Sequence, residues 1–588
     1  MKDFFKYTLA TMTGVILTSV IVFFISAAVF ISLISFADDQ DVEVKDGSVL
    51  QLNLNYPIFD RTPKNTTPMI LGDMVNPVGL NEILESIHKA EKDDRIEGIF
   101  LNISNVAAGS ATITEIRDAL KEFKDSGKFI YAYSELYSQK AYYLATVADK
   151  VFLNPIGMVD FKGLNAQIMF YKNLLEKTDI EVQILRPDGN KYKSAVEPFF
   201  MEKMSEANRE QTGKYITAIW ETYLDEISVA RGLSKDQLNE FADNLTGMDA
   251  KRALDAKLVD ELAYLDQVYD AIDEATGKEK DGKITAINLA KYRNAEFDDD
   301  EPFAKEKIAV IYATGNIVDG DADENTIGSV NFAKAIRKAR LDDKIKAVVL
   351  RVNSPGGSVM ASDVILREMR LLKEEKPVIA SYGDVAASGG YYISCFADKI
   401  VAMPNTITGS IGVFGMFPNF EGLLKEKIGI TTDNVSTNEN AGFPNAFRPL
   451  NAFEEAELKR NVTDTYFNFT SLVAEGRGME REAVDAIGQG RVWAGTDAIE
   501  IGLIDEFGGL ERAIEIAAEE AGLENYRLRT LPDIKDPIEQ FMEFITGEQT
   551  KNALKSTMGP YYQYLESLKS IEEMKGIQAR LPYEIHID

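Results

Sequence analysis

The chain has 588 residues, enough for more than one domain with a core of its own, and its 45% apolar content argues against disorder. It carries 94 acidic against 64 basic residues, a net charge of −30. That field repels phosphate backbones and no dense basic patch interrupts it, so nucleic acid is excluded as a partner. One cysteine, Cys395, and two histidines, His88 and His586, exclude an internal disulfide framework and a Cys- or His-rich metal centre.

The N-terminus opens with residues 1–6, which include Lys2 and Lys6. An uncharged stretch, residues 7–36, follows, and then Asp38, Asp39 and Asp41. As a helix the stretch is roughly 45 Å long against about 30 Å of hydrocarbon, so it spans a bilayer with tilt. A secretory signal has a shorter apolar core, about 7–15 residues, so an uncleaved anchor is expected. The lysines hold residues 1–6 in the cytoplasm, and the remainder is exported.

The body repeats itself. RIEGIFLNISNVAAGS from Arg95 matches KIKAVVLRVNSPGGSV from Lys344, and AYYLATVADKVFLNP from Ala141 matches GYYISCFADKIVAMP from Gly390. Arg95 against Lys344 and Asp149 against Asp398 give one constant shift of 249 residues. Later, SVARGLSKD from Ser228 echoes VAEGRGMER from Val473 at a slightly smaller shift. This is one domain of over 200 residues copied once, not a short-repeat solenoid. The expected organisation is a first copy over 37–293, a charged linker over 294–307, a second copy over 308–530 and a tail over 531–588.

In the first copy, NEILESIHKAEK has a helical spacing of apolar residues, which makes His88 a helix-surface residue rather than a catalyst. Further on lies NKYKSAVEPFF, Asn190–Phe200, where Lys193 precedes a run of apolar residues. If this is a strand, Lys191 shares a face with Lys193. A lysine acts as a base only when neutral, so its pKa must fall far below about 10.4, through burial or a neighbouring like charge. The plain alternative is a solvated lysine on an edge strand.

The second copy alternates strands and helices in turn. KIAVIYATGNI is a strand, FAKAIRKARLD a helix, KAVVLRVN a strand, ASDVILREMRLLKEE a helix and PVIASYG a strand. SGGYYISCFA follows as a helix and DKIVAMP as a strand. Short continuous apolar strands between helices give a mostly parallel, buried sheet, an α/β fold in tandem. Two glycine turns, NSPGGS (Asn353–Ser358) and AASGG around Ser388, fall at the C-terminal ends of predicted strands, the edge where ligands bind such sheets. Gly389 and Gly390 leave room for a peptide backbone, and the first amides of the following helix face an oxyanion. A Gly–Gly turn that serves only packing is the alternative. A serine nucleophile here needs a base, and with histidine nearly absent it is a lysine, aspartate or glutamate.

The copies differ where chemistry is at stake. At the shift of 249, Ser388 falls on Gln139, Ser410 on Phe161, and SPGG on NVAA. The stretch of the second copy matching Lys193 has no lysine between Lys427 and Lys459. One copy keeps a nucleophile and the other a base, which points to a composite site.

These residues, YKSAVEPF, NSPGGS, AASGGYYIS and TGSIGVFG together with the anchor and duplication, resemble the long, duplicated form of the signal peptide peptidase A family of bacterial membrane-anchored serine proteases. The resemblance implies tandem Clp-protease/crotonase-like domains and a Ser–Lys dyad. Carried over, Ser388 is the nucleophile, Lys193 the general base, and Ser410 the residue that holds the lysine. The amides of Gly357 and Gly389 form the oxyanion hole, with Gly356 a weaker match. It further implies no metal or cofactor, peptide substrates such as spent signal peptides, contact with the lipid bilayer, and a homotetramer. The place is then the bacterial cytoplasmic membrane, with the catalytic body in the periplasm. The rival readings are an acyl-CoA enzyme of the crotonase type and a non-catalytic membrane scaffold. The tail motif IQARLPYEIHI, extended by Pro582, reads first as a plain oligomer contact or disorder; the weaker reading is that it pairs with a neighbour's sheet edge or fills a binding groove.

Overall fold

The computed structural model describes residues 42–62, 77–280, 283–297, 304–322, 325–533 and 576–580, with helical pieces between residues 4 and 22. The rest of the apolar N-terminal stretch, His586 and Pro582 lie outside the described residues. No helix among the described residues is long and apolar enough to cross a membrane.

The first copy is built on a sheet in the order Glu261–Leu262, Lys150–Val159, Phe129–Tyr137, Ile96–Asn102, Ser48–Leu52, Ala286–Asn288, all parallel. Alternation along each strand sends side chains to opposite faces. Ile99, Leu101 and Ile130 meet the helices Leu80–Lys92, Ser110–Asp125 and Glu206–Arg231 on one side. Phe100, Tyr133 and Phe152 meet the helix Leu265–Ala275 on the other.

The second copy repeats this plan. Its sheet runs Val492–Ala494, Ile407–Gly409, Val378–Ala387, Ile345–Ser354, Lys307–Thr314, Arg527–Leu531, with Lys399–Ala402 beside the start of Val378–Ala387. Val348, Leu350 and Val352 pack in the cluster that holds the helices Ser329–Leu341 and Val359–Lys373, whereas Ala347 and Val349 pack with the helix Leu510–Ala521. The matching strands begin at Ile96 and Ile345, Phe129 and Val378, Lys150 and Lys399, so the shift of 249 seen in the residues is also the shift of the structure. Two 26-residue helices, Glu206–Arg231 and Ala452–Arg477, each end in a left-handed glycine, Gly232 and Gly478.

A third sheet is made jointly. Its order is Thr326–Gly328, Asn316–Val318, Gly356–Ser358, Gly576–Arg580, Phe414–Asn419, Glu181–Leu185. The first copy's Glu181–Leu185 pairs antiparallel with the second copy's Phe414–Asn419 and so carries the following residues across to the second copy.

Buried charge also joins the copies. The Arg351 guanidinium donates to Asp60 at 2.7 Å and to Glu115 at 2.6 Å, and all three side chains are fully or almost fully buried. Burial pushes the Glu115 carboxyl up to about 7, while its two carboxylate neighbours hold Arg351 firmly charged. Asp384 accepts from both the amide and the hydroxyl of Thr112.

Candidate active site

The strand Val378–Ala387 ends at Ser388, whose φ is +54° and ψ is −113°. A serine rarely adopts a positive φ, and such strain costs on the order of 1–3 kcal/mol. Neighbouring backbone bonds impose it: the Ser388 amide donates to the Gly409 carbonyl at 2.8 Å, and the Ser388 carbonyl accepts from Tyr392 at 2.8 Å. The helix that follows is the single turn Gly389–Tyr392. This is shorter than the sequence suggests, so its individual amides matter and a summed helix dipole contributes little.

Lys193 approaches from the first copy. It lies beyond the strand Glu181–Leu185, directly before a one-turn 3₁₀ helix, Ser194–Val196, and the short helix Glu197–Phe200. The edge-strand expectation for this segment is therefore corrected. Lys191 does not share a face with Lys193; its ammonium sits over the Tyr192 ring, 5.0 Å from the centroid, and is exposed. Complete burial alone drives the Lys193 pKa far below the usual lysine range.

Lys193 Nζ stands 2.8 Å from Ser388 Oγ, 3.0 Å from Ser410 Oγ and 3.1 Å from the Ser410 carbonyl oxygen. A neutral amine has two N–H donors and one lone pair. The two Ser410 acceptors match the two donors, which leaves the lone pair for the Ser388 hydroxyl. Ser410 itself is held at φ +50°, its amide donating to the Arg491 carbonyl at 2.7 Å. Ser388, Lys193 and Ser410 all have zero exposure.

The two glycine turns meet in front of Ser388. Gly356, at φ +98°, has its amide committed to Ser354 Oγ at 3.1 Å, which removes it as an oxyanion donor. Gly357 and Gly389 remain. Gly390 plays a different part from the one its sequence suggests: a methyl group there would fall 2.7 Å from the Ser354 carbonyl oxygen, so its small size packs the turn against the strand Ile345–Ser354 rather than admitting a peptide.

In the first copy the equivalent place is closed. Gln139 Oε1 accepts from the amides of Lys162 and Gly163, and Phe161 packs against Tyr142 and Trp220. His88 is paired with Glu511 across the copies; that partner raises its pKa.

Several residues that fix the lysine escape a reading of the sequence. Gln211, fully buried on the helix Glu206–Arg231, donates to the Tyr192 carbonyl at 3.0 Å and to Ser194 Oγ at 2.8 Å, and accepts from the Val492 amide at 3.1 Å. Arg491 donates to Tyr192 Oη and to Glu210. Gly490, at φ +80°, lies against the Lys193 backbone. Only a glycine-rich IGQGRVWAG hints at the last, and nothing local marks the others.

The family model described as Peptidase family S49 matches residues 122–279 and 370–524, once in each copy, and the Clp protease model matches residues 321–408. The chain is 39% identical over 516 residues to Protease 4 of Salmonella typhi, covering 85% of this chain and 82% of that protein. It is 39% identical to Protease 4 of Haemophilus influenzae, covering 74% and 72%. It is 34% identical to the chloroplastic serine protease SPPA of Arabidopsis thaliana, covering 92% and 78%.

Proposed function

The chain belongs to peptidase family S49 and is a serine protease, and from that premise we propose that it is a membrane-anchored endopeptidase working through a Ser388–Lys193 dyad. The observation that carries the dyad is the 2.8 Å approach of a fully buried lysine amine to a strained serine hydroxyl. Neutral Lys193 takes the proton from Ser388, and Oγ attacks the peptide carbonyl. The Gly357 and Gly389 amides hold the tetrahedral oxyanion. Lys193 then gives its proton to the leaving amine and activates the water that hydrolyses the acyl-enzyme. Ser410 keeps the amine aimed throughout.

Anchoring by residues 7–36 at the bacterial cytoplasmic membrane, with the body in the periplasm, is supported by Lys2 and Lys6 before that stretch and three aspartates after it. An enzyme so placed meets apolar peptides as they leave the bilayer, and spent signal peptides are the substrate class proposed. A homotetramer is the assembly proposed from the family resemblance. The rival readings fit the site less well. An acyl-CoA enzyme has no use for an amine buried against a serine, and a scaffold gains nothing from burying a lysine or straining Ser388.

A fluorophosphonate probe tests the dyad. Labelling of the native chain that is lost in both Ser388→Ala and Lys193→Ala is expected; labelling that survives Lys193→Ala overturns the proposed base.

A further inference from the structure

The strand that ends at Ser388 breaks its pairing just before it. Val352 pairs with Tyr382 and Ser354 with Ala386, so two steps along Ile345–Ser354 match four along Val378–Ala387. Gly383, Asp384 and Val385 therefore bulge opposite the single residue Asn353. Side chains hold the bulge in place. The Asn353 carboxamide accepts from the Val385 amide at 3.3 Å and donates to Asp60 of the first copy at 3.1 Å. The Thr406 hydroxyl donates to the Gly383 carbonyl at 2.8 Å. Beyond the bulge, Val385–Ala387 pairs with Ile407–Gly409, and the residues that follow these two short pieces are Ser388 and Ser410.

Asp384 leaves the bulge toward the first copy and meets the start of the helix Ser110–Asp125. The residue before that helix is Gly109, which has no side chain to satisfy the first free amides. Asp384 satisfies one from the other copy: its carboxylate accepts from the Thr112 amide at 3.0 Å and from the Thr112 hydroxyl at 2.7 Å. That amide belongs to the third residue of the helix, the one a capping side chain ordinarily takes, and the positive end of the helix suits a carboxylate. A methyl group on Gly109 would fall 2.0 Å from the Asp384 carboxyl carbon. Gly109 has φ −75°, which any residue adopts, so the room Asp384 occupies, not the backbone, calls for glycine here. Asn405, just ahead of Ile407–Gly409, donates to the Ser110 carbonyl at 3.1 Å and the Thr114 hydroxyl at 2.9 Å of the same helix. Both pieces that lead to the site serines are thus tied to one helix of the first copy.

We infer that the helix Ser110–Asp125 aims the nucleophile, with Thr112 and Asp384 as positioning residues that act through the bulge on Ser388 and Gly109 as the gap that admits Asp384. The inference rests on the peptidase reading and deepens it: the first copy supplies the base and also sets the place of the hydroxyl that the base serves. Displacing the Asp384 carboxylate moves a short strand piece whose end is the strained Ser388, and a misplacement near 1 Å costs on the order of 10²-fold in rate.

Gly109→Asp separates aim from folding. The new side chain caps the helix from its own chain, and its carboxylate takes the place of the Asp384 carboxylate and repels it. Thr112→Val removes the hydroxyl, and Thr112→Ser restores it. Each full chain is compared with the native one for kcat and KM on a single fluorogenic apolar peptide, and for the rate and final extent of fluorophosphonate labelling. In Gly109→Asp, kcat and labelling rate are expected to fall about 10- to 100-fold. In Thr112→Val they fall about tenfold, the effect of one hydrogen bond to a charged group. KM, labelling extent and the midpoint of the pH–rate profile stay native, and Thr112→Ser recovers most of the rate. Thr112→Val keeps the test valid should Gly109→Asp fail to fold. Native kcat in both altered forms overturns the inference. A loss of kcat that only matches a loss of labelling extent also overturns it, because that is a loss of folded chain, and so does a raised KM at native kcat. In all three cases the native chain still labels and the peptidase reading stands. A native chain that does not label at Ser388 overturns that reading, and this inference with it.

Discussion

Gly490 lies directly against Lys193: a methyl group added there would fall 2.5 Å from Lys193 Cβ and 2.7 Å from its Cα. Gly490 also has φ +80°, so alanine is strained there as well as crowded. Gly490→Ala therefore pushes the lysine backbone away from Ser388. A misplacement near 1 Å costs on the order of 10²-fold in rate, so kcat is expected to fall by about that factor while KM changes little. Steady-state kinetics below the melting temperature check this.

On the proposed dyad, Lys193 sets the pH dependence of rate. Burial lowers its pKa, so the amine becomes neutral below the ordinary lysine range. The rate is expected to rise with pH through that lowered value and then level off. Lys193→Arg, always charged, is expected to be inactive across the whole profile.

The same shift has a sign for stability. Between the lowered folded pKa and the ordinary unfolded value near 10.4, the unfolded chain binds more protons, so stability rises with pH across that window. Below the folded value the full cost of burying the lysine is present. Lys193→Met is expected to melt higher than the native chain there, and the gap is expected to close as the pH approaches 10. Thermal melts at a series of pH values measure it; a gap of the opposite sign contradicts the buried neutral amine.

Ser410 offers the lysine both its hydroxyl and its carbonyl. Ser410→Ala removes one of the two and leaves the other. The expected result is a fall in kcat of roughly 10- to 100-fold with KM nearly unchanged, because the hydrogen bond is worth about 1.5–3 kcal/mol once the amine has taken the serine proton and is charged.

Arg351 neutralises two buried carboxylates of the first copy, Asp60 and Glu115. Arg351→Met leaves them facing each other without a cation. Removing one partner of a buried ion pair typically costs about 3–5 kcal/mol, so a large drop in the denaturation midpoint is expected. Glu115→Gln, which keeps a neutral acceptor where the carboxyl is already pushed up to about 7, is expected to cost much less.

Much of the architecture is legible in the residues because apolar strands and amphipathic helices are local patterns. The shift of 249 reappears at strand starts such as Ile96 and Ile345. Ser388 is legible as a small residue at a strand end, and Lys193 as a lysine in an apolar run. The conformation around Lys193 is not, because its turn is dictated by partners distant in sequence: Gln489 carbonyl oxygen accepts from the Tyr192 amide at 3.2 Å, and Gln211 comes from a separate helix. From its residues alone Gly390 is open to two readings for the same reason, since only the folded chain brings the Ser354 carbonyl beneath it.

The amine and the hydroxyl are separated by 195 positions along the chain. During synthesis the lysine leaves the ribosome well before the serine, and the strand Glu181–Leu185 must wait for Phe414–Asn419 before its sheet can form. On the proposed dyad, a nascent chain thus carries no reactive pair until the second copy has been made and has folded onto the first. Contacts this remote in sequence form slowly, so the arrival of hydrolytic power marks the end of maturation rather than its beginning.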